Sequence, residues 1–286
     1  MKLTLLGTGS PIPDPARRGP SQVIEAGDEL VLVDAGSGTL HRLIEAGYGP
    51  RGPGRLLKPL RRIALTHLHS DHITGLADLL WAGWIMRWWD EPPAIAGPPG
   101  TIEFLRRLFH AFEYDIKIRT SGERLQSEWL FPQVEEIEEG WTTEGDGWQL
   151  RAFRVDHEPV DQAFGFRIEA DGRSIAISGD TRRSENLIRQ AQGADLLVHE
   201  VYWQRGAQAL QATITDPELL HRRQIIDSYH THSKEVGAIA TDADAKHLVL
   251  SHILFRGGAP ADLQADIEPD YRGRVTVGAD LQTFEI

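Results

Sequence analysis

A chain of 286 residues, 41% hydrophobic and 25% charged, is long enough to bury about three quarters of the surface its unfolded form would expose. It contains no cysteine, which excludes disulfide scaffolds, thiol nucleophiles, iron–sulfur clusters and cysteine-ligated zinc. Any metal must therefore sit on histidine, carboxylate or backbone oxygen. The 30 basic against 42 acidic residues, a net charge of −12, make a poor footprint for a polyanion, so nucleic acid is disfavoured as a partner.

In chain order, Lys2 to Leu6 and Leu30 to Asp34 are leucine- and valine-rich runs, each followed by a glycine-rich turn, and predict strands. Thr39 to Ala46 places Leu40, Leu43 and Ile44 at helical spacing, and the Pro- and Gly-rich Gly47 to Gly54 predicts a loop. Arg61 to His69 returns to strand character, Ile73 to Trp89 reads as a helix by its length, and Glu91 to Gly100 is a proline-rich connection before a helix at Thr101 to Phe112. Gln133 to Asp171 is strand-like with turns, Ser174 to Ser178 is a strand and Glu185 to Gln192 a helix. Leu196 to His199 is a strand, Lys234 to Ala243 a helix and His247 to His252 a strand. Strands separated by helices predict layered α/β architecture in one domain over residues 1–286.

No run of 18 apolar residues occurs, and Ile73 to Trp89 is interrupted by Asp78 and Arg87, so it predicts a buried or pocket-lining helix rather than a membrane span. Met1 to Ser10 is too weakly apolar for a secretory leader, and a cytoplasmic protein without membrane attachment is expected. Glu123 to Asp146 carries eight carboxylates against the single basic Arg124 and reads as a solvated acidic face.

The sharpest local signal is His67-Leu68-His69-Ser70-Asp71-His72 at the end of a predicted strand. Residues i and i+2 of an extended segment point to one side, so His67 and His69 can share a metal ion. Asp71 and His72, past the turn at the start of a helix, reach a second position close by. Imidazole and carboxylate together suit zinc, with manganese or iron as alternatives. Asp180 and His252 close apolar predicted strands, where α/β folds keep their sites. His247 has the opposite parity from His252 and is expected to face away, and His41, His110 and His221 are expected on the surface.

The His67 to His72 run resembles the signature of the metallo-β-lactamase-fold hydrolases, and the resemblance extends over nearly the whole chain. It implies a four-layered αββα sandwich and a dinuclear metal site. Asp34 matches a supporting aspartate, His157 the third ligand of the first ion, Asp180 the bridging carboxylate and His252 the last ligand of the second. His67, His69 and His157 would then hold one ion, and Asp71, His72 and His252 the other.

Within that superfamily, Leu6-Gly7-Thr8-Gly9-Ser10, the lead-in Thr66-His67-Leu68-His69 and the pair His199-Glu200 resemble the ribonuclease Z-like group. There a histidine oriented by the glutamate stabilises the oxyanion or protonates the leaving group. His232 is read as that histidine and Glu200 as its partner, with His230 the competing candidate two residues away. The tRNA-processing members carry a long basic arm, in many bacterial members between the third histidine ligand and the bridging aspartate. Only 22 residues separate His157 from Asp180, and Val201 and Tyr202 stand where the group has Ala-Thr. The turn Asp34 to Gly38, Phe164-Gly165-Phe166 and Val201-Tyr202-Trp203 are more similar to the arylsulfatase-like members.

The expected protein is thus a dinuclear hydrolase of small-molecule esters, with a hydroxide shared by two zinc ions as nucleophile and Asp71 as a proton acceptor. The alternatives are a ribonuclease Z-type endonuclease that processes tRNA 3′ ends and a non-catalytic metal-binding domain. A homodimer is expected from the resemblance. Trp81, Trp84 and Trp88 share a helix face that either walls an apolar pocket, packs in the core or forms a subunit interface.

Overall fold

The computed structural model describes residues 1–50 and 54–286. The loop expected at Gly47 to Gly54 falls partly on residues 51–53, outside the described residues. The first half contains β1 (Lys2–Gly7), β2 (Ser21–Ala26), β3 (Glu29–Val33), α1 (Thr39–Glu45), β4 (Leu60–Ala64), α2 (Ser70–Ile73), α3 (Leu76–Met86), β5 (Ala94–Gly97), α4 (Thr101–Ala111), α5 (Glu113–Gly122) and β6 (Val134–Glu136). The second contains β7 (Thr142–Gly145), β8 (Trp148–Arg154), β9 (Phe164–Ala170), β10 (Arg173–Ile177), α6 (Glu185–Gln190), β11 (Leu196–Tyr202), α7 (Gln204–Thr213), α8 (Pro217–Ser228), α9 (Ser233–Asp242), β12 (His247–Leu254), α10 (Pro260–Ile267), β13 (Arg274–Val277) and β14 (Thr283–Glu285).

These strands form two mixed sheets, ordered β14-β1-β2-β3-β4-β5-β6 and β13-β12-β11-β10-β9-β8-β7. The period-2 geometry of each strand explains the layers. In β3, Val31 and Val33 enter a core shared with Phe164, Phe166 and Ile175 of the other sheet, while Leu30 and Leu32 pack outward against Leu76, Leu79 and Trp84 of α3. In β12, Val249 faces the inter-sheet core, while Leu248 and Leu250 face Val236 and Ile239 of α9. Both faces of the central strands are therefore buried, which is why these segments read as continuous apolar runs. The result is the four-layered αββα sandwich.

The helix expected from Ile73 to Trp89 is two helices. Gly75 interrupts them, and a side chain there would meet the backbone oxygen of Gly36 at 2.1 Å, so the close approach of the Asp34–Gly36 turn requires glycine. α3 stops at Arg87, which adopts a left-handed conformation. The tryptophans are core: Trp84 is fully buried and its indole N–H donates to the Gln126 carbonyl at 2.8 Å. Trp81 donates to Asp115 at 3.0 Å and Trp89 to the Trp129 carbonyl at 2.8 Å. Trp84→Ala is expected to cost about 3–5 kcal/mol, read as a lowered midpoint in urea or thermal unfolding. The eight carboxylates of Glu123 to Asp146 are all exposed, as expected of a solvated face. One of them, Glu136, also accepts from the Gly100 and Ile102 backbone amides at 2.8 and 3.1 Å, placing negative charge at the N-terminus of α4.

Candidate metal centre and active site

The candidate residues meet where strand ends of both sheets converge. Asp34 follows β3, and its buried carboxylate organises the histidine loop after β4. Its Oδ1 accepts from the Thr66 backbone amide at 2.8 Å and its Oδ2 from the Thr66 hydroxyl at 2.9 Å. With that hydroxyl hydrogen committed to Asp34, Thr66 Oγ1 accepts from His67 Nδ1 at 3.0 Å. His72 Nδ1 donates to Asp34 Oδ2 at 2.8 Å, and His157 Nδ1 donates to the Tyr229 carbonyl at 3.1 Å. Each of these imidazoles spends its Nδ1 hydrogen on an outer partner, so each Nε2 presents a lone pair to the interior.

Those lone pairs face one another. His67 Nε2 lies 2.9 Å from His69 Nδ1, and His157 Nε2 lies 3.3 Å from the same atom. Asp180 Oδ2 is 3.9 Å from both His67 and His157. Ligand atoms of these four residues lie within 4.8 Å of one another, and those of Asp71, His72 and His252 form a second such group. Asp180 reaches the second group as well, with its carboxylate oxygens 3.3 Å from His72 Nε2 and 3.4 Å from His252 Nε2. Asp71 Oδ2 is 3.2 Å from His252 Nε2 and 3.6 Å from His72 Nε2. His72 Nε2 and Asp180 Oδ1 are buried without a hydrogen-bond partner among the described residues. A convergence of acceptors with no donor between them repels itself unless a cation intervenes, and imidazole with carboxylate is a fitting donor set for a divalent ion.

The electrostatics follow from burial and proximity. Burial, reinforced by the positive field of neighbouring imidazoles, holds His67 well below the usual imidazole range, and burial lowers His157 to about 4. Burial opposes the charge of Asp180, but His252 and His72 overcome it and hold that carboxyl well below its usual value. His72 goes the other way: burial opposes its charge, but Asp180 and Asp34 outweigh burial and hold it well above the usual imidazole range, a proton that a bound cation would displace.

Backbone conformation aims the two ligands from the second sheet. Gly179 is left-handed (φ 61°), and a side chain there would meet the Phe164 carbonyl oxygen at 2.6 Å, so only glycine lets β10 turn Asp180 inward. His252 itself is left-handed (φ 45°), and the β11–β12 register shifts between His199 and Val201. Its direction is therefore not the parity of Leu248 and Leu250: those face α9, whereas His252 lines a cavity with Gln22 of the opposite sheet. His247 does face away, 2.8 Å from Thr276 Oγ1.

The expected pairing of His232 with Glu200 is not made. His230 Nδ1 donates to Glu200 Oε1 at 2.8 Å, its ring stacks on His252 at 5.7 Å, and it sits 3.9 Å from Asp180. His232 is instead the residue before α9, a third exposed, with Nε2 3.7 Å from Glu235. Simple alternation would put His230 and His232 on one side; instead His232 bridges to Tyr202 of β11 and starts α9, with its ring edge-on to Tyr202 at 6.1 Å, while the Tyr202 amide donates to the Thr231 carbonyl. Glu200 Oε1 also accepts from the Thr181 amide at 2.9 Å, and burial pushes its carboxyl up. Burial alone would lower His230, but Glu200 outweighs it and raises the imidazole to about 9. His230 also falls within reach of Asp180 and His252 as a third possible ligand group, but its Nδ1 is engaged by Glu200. Sequence reasoning missed Tyr229 and Thr181, which act through backbone atoms and leave no side-chain signature.

A groove of about 600 Å³ opens beside Asp71, walled by Ser10 to Pro15, Arg17, Arg18 and Thr74. Arg17 is tied down, donating to Thr8 Oγ1 at 2.6 Å and the Gly278 carbonyl at 2.8 Å, whereas Arg18 is exposed on the groove wall.

Comparison with known proteins decides the family. Residues 30–253 match the model of the β-lactamase superfamily domain. Ribonuclease Z of Mycobacterium bovis is 37% identical over an alignment that covers 100% of this chain and 98% of that protein. The chain belongs to the ribonuclease Z family of the β-lactamase superfamily. Among solved structures, the metallo-β-lactamase fold protein YhfI from Bacillus subtilis superposes with a TM-score of 0.73 at 20% identity, covering 99% of this chain and 98% of that one. Human tRNase Z, short form, superposes with a TM-score of 0.69 at 23% identity, covering 100% and 99%. Family membership makes this a divalent-metal hydrolase and overturns two expectations, a small-molecule ester as substrate and the exclusion of nucleic acid. The short span from His157 to Asp180 does not separate this chain from ribonuclease Z: an alignment covering 98% of the M. bovis protein leaves no room there for a long additional arm. The closer likeness to arylsulfatase-like members falls with it.

Proposed function

We propose that this protein is a metal-dependent endonuclease that cuts precursor tRNA at its 3′ side, with two zinc ions as its cofactor. The observation that carries this reading is the 37% identity over the full chain to a protein named ribonuclease Z. His67, His69 and His157 would hold one ion and Asp71, His72 and His252 the other, with Asp180 reaching both. Manganese or iron(II) would fit the same donors. When bound, the ions supply Lewis acidity and draw the pKa of water toward neutrality.

The chain's own groups divide the proton work. Asp71 lies both in the ligand cluster and on the groove wall, where its carboxylate accepts a proton from the attacking water. Glu200 accepts the hydrogen bond from His230 Nδ1–H and holds the ring as imidazolium, whose Nε2–H protonates the leaving oxygen as the P–O bond breaks and leaves a neutral ring. Asp34 and Thr66 keep the His67 and His72 rings oriented.

The net charge of −12 is a sum over the whole surface, and a phosphate chain feels the local field instead. Most of the acidic stretch lies on and between the edge strands β6 and β7, while Arg18 lines the groove at Asp71. Incubating the zinc-loaded protein with precursor tRNA bearing a 3′ trailer is expected to release the trailer by a single cut, and intact RNA under those conditions would overturn the reading. Arg18→Ala is expected to weaken RNA binding and to flatten the plot of log affinity against log salt by about 0.7–0.9, measured by titration at several salt concentrations.

A further inference from the structure

Three of the proposed histidine ligands have their outer nitrogen satisfied by the protein: His67 by Thr66, His72 by Asp34 and His157 by Tyr229. His252 differs, because its Nδ1 is buried with no hydrogen-bond partner among the described residues. His252 lines a cavity of about 20 Å³ between the sheets that adjoins the ligand cluster at Asp180 and His72 and is walled on its other side by Gln22, His199, Glu200 and Ser251. Of the other orphaned atoms in that lining, His72 Nε2 and Asp180 Oδ1 belong to the ligand cluster, which leaves Gln22 Oε1, His199 Nε2 and Glu200 Oε2.

Their chemistry is complementary to one molecule. With Nε2 turned to the metal centre, His252 Nδ1 carries a hydrogen and is a donor. His199 Nδ1 donates to the Glu200 carbonyl at 2.7 Å, so its Nε2 is an acceptor, as are the amide oxygen of Gln22 and the carboxylate oxygen of Glu200. The set holds one donor and three acceptors, so the residues cannot satisfy one another. A water supplies an acceptor and two donors, and a cavity holds one when its volume exceeds about 10–15 Å³ and it offers two to four polar partners.

We infer that one ordered water fills this cavity as part of the metal centre, accepting from His252 Nδ1 and donating to two of Gln22 Oε1, His199 Nε2 and Glu200 Oε2. Gln22 and His199 are then positioning residues for His252. The left-handed backbone at His252 gives this support a purpose, since a non-glycine residue in that conformation needs its surroundings to hold it. The inference rests on His252 being a ligand, as proposed above.

The test is zinc titration of the wild-type, Gln22→Met and His199→Gln proteins by calorimetry, together with a high-resolution crystal structure of the zinc-loaded wild type. Gln22→Met keeps the side-chain length but removes an acceptor, and is expected to weaken the ion beside His252 by about 10–100-fold while leaving the ion at His67, His69 and His157 unchanged. His199→Gln keeps an acceptor and is expected to bind both ions within a few-fold of wild type, with water density in the wild-type cavity. A wild type that binds the second ion, with Gln22→Met binding it equally or the cavity dry, overturns the water. A wild type with no ion at His252 overturns the ligand reading as well.

Discussion

Asp180→Ala is expected to abolish RNA cleavage and to strip affinity from both ions, because its carboxylate oxygens lie within 3.9 Å of His67 and His157 on one side and within 3.4 Å of His72 and His252 on the other. Metal polarisation of a phosphoryl oxygen is worth several kcal/mol, so the rate should fall by about a thousandfold or more. Metal analysis of the purified variant separates this from a local defect: both ions should be reduced, whereas loss of a single outer contact would affect only one. Chelation of the wild type should reproduce the loss of activity and lower the thermal midpoint, since a ligand bound only to the folded state stabilises it by mass action. A variant that retained two equivalents of zinc would contradict the shared role of Asp180.

The second large effect separates two histidines two residues apart. His230→Ala is expected to lower the cleavage rate by about 10²–10⁴-fold, the usual contribution of a positioned general acid, with zinc content near normal because Glu200 occupies its Nδ1. His232→Ala is expected to stay within a few-fold of wild type, since that ring is a third exposed and faces Glu235. Single-turnover cleavage rates beside zinc content for both variants decide the assignment. A damaging His232 variant beside a benign His230 variant would restore the pairing that the sequence suggested.

That pair shows where sequence reading runs out. His67 to His72 announces itself because i, i+2 convergence in an extended segment is local geometry, and the 2.9 Å approach of His67 to His69 is its direct result. Choosing between His230 and His232 is not local. It depends on the Tyr202 amide docking Thr231 against β11, a contact between residues 29 positions apart. The helices α5, α7, α8 and α10 and the strands β2, β5, β13 and β14 were likewise not legible. α5 and α8 carry weak periodicity, and their places are set by packing against α4 and α7.

By itself, the sequence determined the layered α/β class, the cysteine-free donor chemistry and the clustering of His67, His69, Asp71 and His72, because strand alternation and short-range spacing are properties of the backbone. Only the tertiary structure decided that Gly179 and His252 adopt left-handed backbone that turns β10 and β12 toward the centre, that the tryptophans are core, and that His230 meets Glu200. Those outcomes depend on which distant surfaces exclude water and which carbonyls find their donors, and such partners are chosen when the two sheets close on each other.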